Sequence, residues 1–345
     1  MKRRAIDWKA RALELAAELP RTKLHPAVLA WAEACDKRAT WSVAFSGGAD
    51  SLSLLLLLWA QWPARRGRLR GVHFNHRLRG RASQADEKFC AAVCAALGVK
   101  FVAGRWSAAH KGASEAAARA ARMKFFDAQG RVLWLGHQQD DIAETMLMRL
   151  ARGSGTAGLA APRPVNMVSG GQVHLRPQLT LKKTEIVRAL RSATIPWRED
   201  QSNARGYYFR NRVRHDVLPA WAEAAQRDAL AGAAHARELL EEDDTALDFW
   251  LRSLRALRAD GSLSLSKLAG KPRGLVRRAL HLWLLVQAQA GDLSRQGFES
   301  LLGAVERGDA TRHSLGREGF AVIRHRRLRF ECMGIKPRRF RRRAN

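Results

Sequence analysis

The run Ser46-Gly47-Gly48-Ala49-Asp50-Ser51 constrains this chain more than any other stretch. It follows an apolar segment that begins at Trp41 and precedes a leucine-rich one at residues 52–59, so it reads as strand, tight loop and helix. Two adjacent glycines let the backbone bend sharply and present N–H groups that no Cβ obstructs. The helix start adds unpaired N–H groups and a positive dipole end, which together suit an anion. Ser46 and Ser51 can donate hydroxyls to phosphate oxygens, and Asp50 can hold a Mg²⁺ beside them. No Gly-Lys-Ser/Thr follows, so this is not a Walker loop. The competing reading is a plain strand-to-helix turn.

The rest of the chain supplies a context for the loop. Strand-like segments at 69–74, 99–102 and 132–135 alternate with helical ones at 83–97, stopped by Gly98, and at 114–129. Ser83 is placed to cap the first of these helices. Such alternation predicts an α/β fold with a doubly wound, Rossmann-like parallel sheet covered on both faces, and ligands beyond the carboxyl ends of its strands. Ser46, residues 73–76 and residues 137–141 all fall at such ends. A leading helix is expected within 5–19, a long loop over 152–171, and another helix at 184–193. After Pro219 helices dominate, at 229–257, 275–290 and 294–305, with a small hairpin from 320–324 and 328–331. The expected organisation is a leading helical segment (1–40), an α/β domain (41–219), a smaller mainly helical domain (220–332) and a disordered basic tail (333–345). No internal repeat is visible.

Charge narrows the partners. With 61 basic against 32 acidic residues the net charge is +29, which favours a polyanion, most simply nucleic acid. Arginine outnumbers lysine 48 to 13, so a compositional bias contributes, but bias alone would exchange Lys for Arg rather than raise the net charge. Cys35, Cys90, Cys94 and Cys332 form no Cys-x-x-Cys pair and suit a reducing cytoplasm. Residues 52–59 are far too few to span a bilayer, and charges interrupt any leader-like apolar run, so no membrane partner is expected.

Two further segments carry chemistry. In the run from Gly136 to Gly155, Asp141 and Glu144 are three residues apart at a helix start and share a face, with Asp140 adjacent and His137 just before them. They are either helix-capping acids or a carboxylate cluster for Mg²⁺ or a substrate ammonium. Arg149 and Arg152 follow, then Gly153-Ser154-Gly155. In the third segment, Trp197 to Asn203 precedes a basic run in which Arg210, Arg212 and Arg214 are either phosphate-handling guanidiniums or a solvated helix start.

Taken together, SGGADS, HFNHRLRG, ARAARMKFF, GHQQDDIAETMLMRLARGSGTAGLA, LRPQL, WREDQSN and YYFRNRVRHDVLP stand in an order and spacing that resemble the bacterial tRNA(Ile)-lysidine synthetases, a family of PP-loop ATP pyrophosphatases. The resemblance covers roughly residues 40–220, and the part beyond 220 resembles the smaller domain that follows. A further C-terminal domain of longer members is not expected here. The resemblance implies that Ser46, Gly47, Gly48, Ala49, Asp50 and Ser51 bind ATP phosphates, with Asp50 on Mg²⁺. It implies that His76 and Arg79 contribute to the ATP or tRNA surface. Asp140, Asp141 and Glu144 would line the place where lysine and the target base meet. Arg119, Arg122, Arg210, Asn211 and Arg214 match basic positions that handle phosphates. Three positions depart from the pattern. Gln138 stands where a histidine is usual, Met123 where tyrosine is, and Gln201 where proline is common. A neutral amide cannot shuttle protons, so His137 remains the group available for that task.

The implied reaction joins free L-lysine to C2 of the wobble cytidine of tRNA(Ile) with a CAU anticodon, through an adenylated cytidine, releasing AMP and pyrophosphate. Asp50, Asp141, Glu144 and His137 are its candidate catalytic residues. Rival readings are a tRNA thiolase or other base-adenylating enzyme, a small-molecule amidating ligase, and a non-catalytic nucleotide-sensing RNA-binding module. A thiolase normally needs cysteines that the spacing here does not offer, and an amidating ligase has no need of +29.

Overall fold

The helix after the glycine loop is leucine-rich on every side because it is surrounded: every residue from Ser51 to Trp59 is buried. A computed structural model describes residues 6–77, 80–107, 115–168, 170–199, 209–287, 293–316 and 319–332. Arg79, the segment 200–208 with most of the WREDQSN motif, and the tail from 333 lie outside the described residues.

The chain opens with α1 (Trp8–Glu18), capped by Asp7, and α2 (Pro26–Ala34). There follow β1 (Trp41–Ala44), α3 (Ala49–Gln61), β2 (Leu69–Asn75), α4 (Arg81–Leu97) and β3 (Lys100–Arg105). Next come α5 (Glu115–Asp127), β4 (Val132–Trp134), α6 (Gln139–Leu150), α7 (Thr156–Leu159), β5 (Val165–Met167) and β6 (Val173–Leu175). Helices α8 (Lys183–Ser192), α9 (Phe209–Arg212), α10 (Leu218–Ala225) and α11 (Ala229–Ser253) complete this half, with a π-helical turn over Val213–Val217.

Six strands form one sheet in the order β3-β2-β1-β4-β6-β5. All pair in parallel except β5, which runs antiparallel to β6 at the edge. The register sets Trp41 opposite both Leu69 and Val132, so β1, β2 and β4 end side by side. The chain winds outward through β2 and β3, then returns to β4 on the other side of β1. That reversal opens a crevice between the carboxyl ends of β1 and β4, the usual ligand position in doubly wound sheets. Helices α1, α3 and α8 pack together on the sheet around Trp41, Leu52, Leu55, Trp134, Ile186 and Leu190.

Several boundaries differ from expectation. Helix α3 begins directly at Ala49, so the loop's last residues are its first turn. Gly80, not Ser83, occupies the N-cap of α4, and Ser83 is buried in the first turn; Gly98 closes the helix at φ +70° as expected. The expected loop over 152–171 holds α7 and β5, elements of four and three residues that are too short to show a periodicity.

Two compact units divide between Glu241 and Glu242, within α11. Residues beyond the composition change at Pro219 still pack on the first unit, where Leu218 and Ala233 join Ala143 and Val213 in a small core. The second unit has β7 (Leu263–Ser264), α12 (Arg273–Val286), α13 (Arg295–Arg307), β8 (Thr311–Ser314), β9 (Gly319–Arg324) and β10 (Arg327–Cys332). The expected hairpin is β9–β10, turning through His325 and Arg326, both at positive φ. It belongs to an antiparallel sheet ordered β7-β10-β9-β8, which the helical reading of this half did not foresee. Among the described residues no helix is long and apolar enough to cross a membrane.

Candidate active site

Gly47 sits at φ +86°, and a Cβ there would lie 3.1–3.2 Å from Phe89, Arg198 and Cys90. Both the turn and the packing therefore demand glycine. Ser51 ties the loop down: its hydroxyl donates to the Gly48 carbonyl (3.1 Å), accepts from the Ser46 N–H (3.1 Å) and lies 3.0 Å from the Ser46 hydroxyl. From the far side the Arg198 N–H donates to the Gly47 carbonyl (2.9 Å), while its guanidinium pairs with Asp86 at 2.7 Å. The loop is thus fixed before any ligand arrives, with Ser46 exposed. Gly136, beyond β4, is pressed equally hard: a Cβ there would meet the Asp50 carbonyl oxygen at 2.8 Å. Close approach of these two backbones brings the first turn of α3 alongside the first turn of α6.

Across that contact the acids gather. Gln138 is the N-cap of α6: its side-chain oxygen accepts from the Asp140 N–H (2.6 Å), and the Asp141 carboxylate accepts from the Gln138 N–H (3.0 Å). The residue that departs from the family pattern thus caps a helix. Asp141 also accepts from Arg210 at 2.6 Å. Glu144, 0% exposed, accepts from Arg210 Nε at 2.7 Å and from Arg214 Nε at 2.5 Å. Burial alone would lower both arginines, but the neighbouring carboxylates of Asp141 and Glu144 outweigh it and hold the two guanidiniums above their ordinary range. Arg210 and Arg214, expected on phosphates, are engaged by the acids. Asn211 lies between them on the chain.

Sequence reasoning missed Lys183, at the start of α8. Its ammonium donates to Asp50 at 2.6 Å and its N–H donates to Asp140 at 3.0 Å. Burial pushes the Asp50 carboxyl up from its ordinary value, against the pull of Lys183, and burial does the same to Asp140. Arg198 was missed as well, although it stands in the WREDQSN segment.

These groups line one cavity of about 310 Å³ within the first unit. Asp50, Gln138, Asp140, Glu144, Lys183 and Arg214 form its polar wall, and Leu218, Pro219, Ala222 and Leu230 its apolar one. With Asp141 and Arg210, which pair with each other, the site gathers four carboxyl groups and three fixed cations. Among the described residues no group of three or more His, Cys, Asp or Glu is arranged to hold a metal. A Mg²⁺ here would be held by Asp50 together with substrate phosphates, the arrangement usual for that ion.

The remaining expected site residues lie around this centre. His137 accepts from Arg176 Nε at 3.0 Å through Nδ1, and burial together with Arg176, Arg210, Arg119 and Arg122 drives its pKa well below the ordinary value. It is therefore a neutral imidazole protonated on Nε2. His76 sits half-buried at the end of β2, edge-on to Phe74 with centroids 4.9 Å apart. Arg119 and Arg122 lie on α5, the former exposed. Cys90 and Cys94 are core residues; Cys94 fills the space above Gly71, and burial pushes both thiols up, Cys94 to about 12. That is the opposite of a reactive thiolate.

Residues 21–221 match the PP-loop domain family. Among curated proteins, the tRNA(Ile)-lysidine synthase of Geobacter sulfurreducens is 36% identical over 276 residues, covering 74% of this chain and 56% of its own length. That of Aromatoleum aromaticum is 40% identical over 247 residues, covering 66% and 57%. That of Pseudomonas aeruginosa is 34% identical over 307 residues, covering 84% and 67%. The chain thus spans a little over half the length of the first two and two thirds of the third.

Proposed function

The chain belongs to the tRNA(Ile)-lysidine synthase family of PP-loop proteins, and from that premise we propose that it ligates L-lysine to C2 of the wobble cytidine of tRNA(Ile) bearing a CAU anticodon, at the expense of ATP. One observation carries the reading. Asp50, from the glycine loop, and the carboxylates Asp140 and Glu144 line a single cavity.

In the first step O2 of the cytidine attacks the α-phosphorus of ATP, the bond from that phosphorus to the bridging oxygen breaks, and pyrophosphate leaves. The N–H groups of the loop around Gly47 and Gly48, with the hydroxyls of Ser46 and Ser51, bind the phosphates. Lys183 is placed to turn from Asp50 to the departing pyrophosphate. A Mg²⁺ on Asp50 would supply further neutralisation of the phosphate charge. In the second step the ε-amine of lysine attacks C2 and AMP departs with the former O2. Asp140, Asp141 and Glu144 hold the cationic amino acid, and one of these carboxylates receives the proton that the amine releases. Arg210 and Arg214 fix the orientation of Asp141 and Glu144. His137, neutral and protonated on Nε2, serves as a hydrogen-bond donor and not as an acid. The net charge of +29 suits a tRNA partner, and a reducing cytoplasm suits four free cysteines.

The test is direct. The protein is incubated with ATP, Mg²⁺, isotopically labelled lysine and a tRNA(Ile) transcript with CAU anticodon, and the RNA is digested and analysed by mass spectrometry. A cytidine carrying the labelled lysine is expected. Pyrophosphate release without a modified cytidine would favour another base-adenylating enzyme, and neither product would sink the proposal.

A further inference from the structure

The glycine loop is held from behind by a main-chain bond whose consequence lies at its front. The Arg198 N–H donates to the Gly47 carbonyl at 2.9 Å. In a trans peptide the carbonyl of one residue and the N–H of the next point in opposite directions. Holding the Gly47 carbonyl toward Arg198 therefore turns the Gly48 N–H away from Arg198. That N–H is directed at the hydroxyl of the exposed Ser46, 3.5 Å distant. So long a contact is weak, and the donor stays available to an incoming anion. Gly48 is also the N-cap of α3, and no side chain caps that helix.

Arg198 is fixed in turn by its side chain. Its Nε donates to Asp86 on α4 at 2.7 Å, and the Asp86 side chain is 10% exposed, so this charge-assisted bond is partly shielded from water. The rest of Arg198 lies against the loop: its Cγ would stand 3.2 Å from a Cβ at Gly47, and its carbonyl oxygen 3.8 Å from one at Gly48. The bonds of Ser51 fix the Ser46 N–H and the Gly48 carbonyl, which flank the peptide between Gly47 and Gly48 without engaging its own carbonyl. With glycine on both sides of that peptide, the local backbone is free to rotate it, and the bond from Arg198 opposes the rotation.

We propose that Arg198 and Asp86 are positioning residues for phosphate binding: their ion pair keeps the Arg198 N–H on the Gly47 carbonyl and so aims the Gly48 N–H at a phosphate oxygen of the nucleotide. The pair acts through one main-chain bond, with neither side chain needed on the phosphate. A donor aimed in advance costs no reorganisation when the charge arrives. The proposal rests on the phosphate role given to the loop in the function proposed above.

The test uses the full chain with Arg198→Met, which keeps the side-chain stem and the main-chain N–H but removes the guanidinium, with Arg198→Lys, which keeps a charge for Asp86, and with Asp86→Asn. Binding of inorganic pyrophosphate and of Mg²⁺–ATP is measured calorimetrically, and the Gly48 amide signal is followed by NMR on glycine-labelled chain as pyrophosphate is added. Arg198→Met and Asp86→Asn should each weaken both probes about tenfold. Arg198→Lys should recover most of the loss, and the Arg198→Met/Asp86→Asn double variant should be no weaker than either single one. The pyrophosphate-induced shift of the Gly48 signal should shrink in Arg198→Met, which a general loosening of the fold would not single out. If Asp86→Asn lacks a native-like thermal transition, the two Arg198 variants decide alone, since that side chain is 42% exposed. Native affinity for both probes in Arg198→Met, an equal loss in Arg198→Lys, or an unchanged Gly48 shift overturns the proposal. A native chain that binds neither probe would refute the loop's phosphate role and this proposal with it, whereas native binding with unaltered variants overturns this proposal alone.

Discussion

Glu144→Gln is the most informative single change, because Glu144 is wholly buried between two guanidiniums. Its carboxylate accepts from Arg210 Nε at 2.7 Å, Arg214 Nε at 2.5 Å and Arg214 Nη2 at 3.1 Å. Glutamine keeps the shape and one acceptor but turns an amide N–H₂ toward a donor. Leaving a buried charge without its partner costs about 3–5 kcal/mol. Two features reduce that here. Arg210 retains Asp141 at 2.6 Å, and the Arg214 side chain is 39% exposed, so solvent screens part of its charge. The expected loss is therefore about 2–3 kcal/mol. In a unit of this size each kcal/mol is worth about 2–4 °C, so the transition should fall by roughly 5–10 °C in thermal unfolding of the whole chain. Arg214→Met in the same background should cost less than it does alone, with a coupling of about 1 kcal/mol. Activity supplies a second readout: lysine affinity should fall about ten- to hundredfold while pyrophosphate release largely persists. A transition within about 1 °C of native, with additive double-variant losses, would refute the reasoning.

Gly136→Ala should push the first turn of α3 away, since the new methyl would meet the Asp50 backbone at 2.8–2.9 Å. A stability loss of about 1–3 kcal/mol with weakened ATP binding is expected, and Gly67→Ala, whose Cβ meets nothing within 4 Å, should be neutral in both assays. Lys183→Met should raise the Asp50 carboxyl further and weaken Mg²⁺–ATP binding about tenfold by calorimetry; unchanged affinity would demote Lys183 to a structural partner. His25, His73, His137 and His174 are all held below the ordinary histidine value, first by burial. The unfolded chain therefore takes up those protons first, and stability falls as pH drops through about 6.5, by up to ~1.4 kcal/mol per pH unit for each group. His174→Gln should make that slope shallower in denaturant titrations between pH 7.5 and 5.5, and an unchanged slope would count against its neutral state in the fold.

What could be read from the chain alone follows the range of each constraint. Gly47 and Gly48 were legible because a strand-to-helix turn that bares N–H groups restricts residue type locally. Asp141 and Glu144 were legible because three residues along a helix put them on one face whatever the tertiary fold. Arg210 and Arg214 were legible as a basic run, but not their partners, which are Asp141 and Glu144. Their spacing crosses from α9 into a π-helical turn, and only that geometry sets both against Glu144. Lys183 was not legible at all: it reaches Asp50 across 133 positions, after the chain has crossed β4 and turned back through β6. A lone Lys-Lys pair before a helix carries no sign of that journey. The same limit hid the partners of Arg176, which donates to His137 and to the Arg163 carbonyl from separate parts of the chain. Sequence patterns within one helix or loop report which chemistry is present. The strand order decides which charges meet, and in this chain it sets Lys183, Arg210 and Arg214 against Asp50, Asp141 and Glu144 around one cavity.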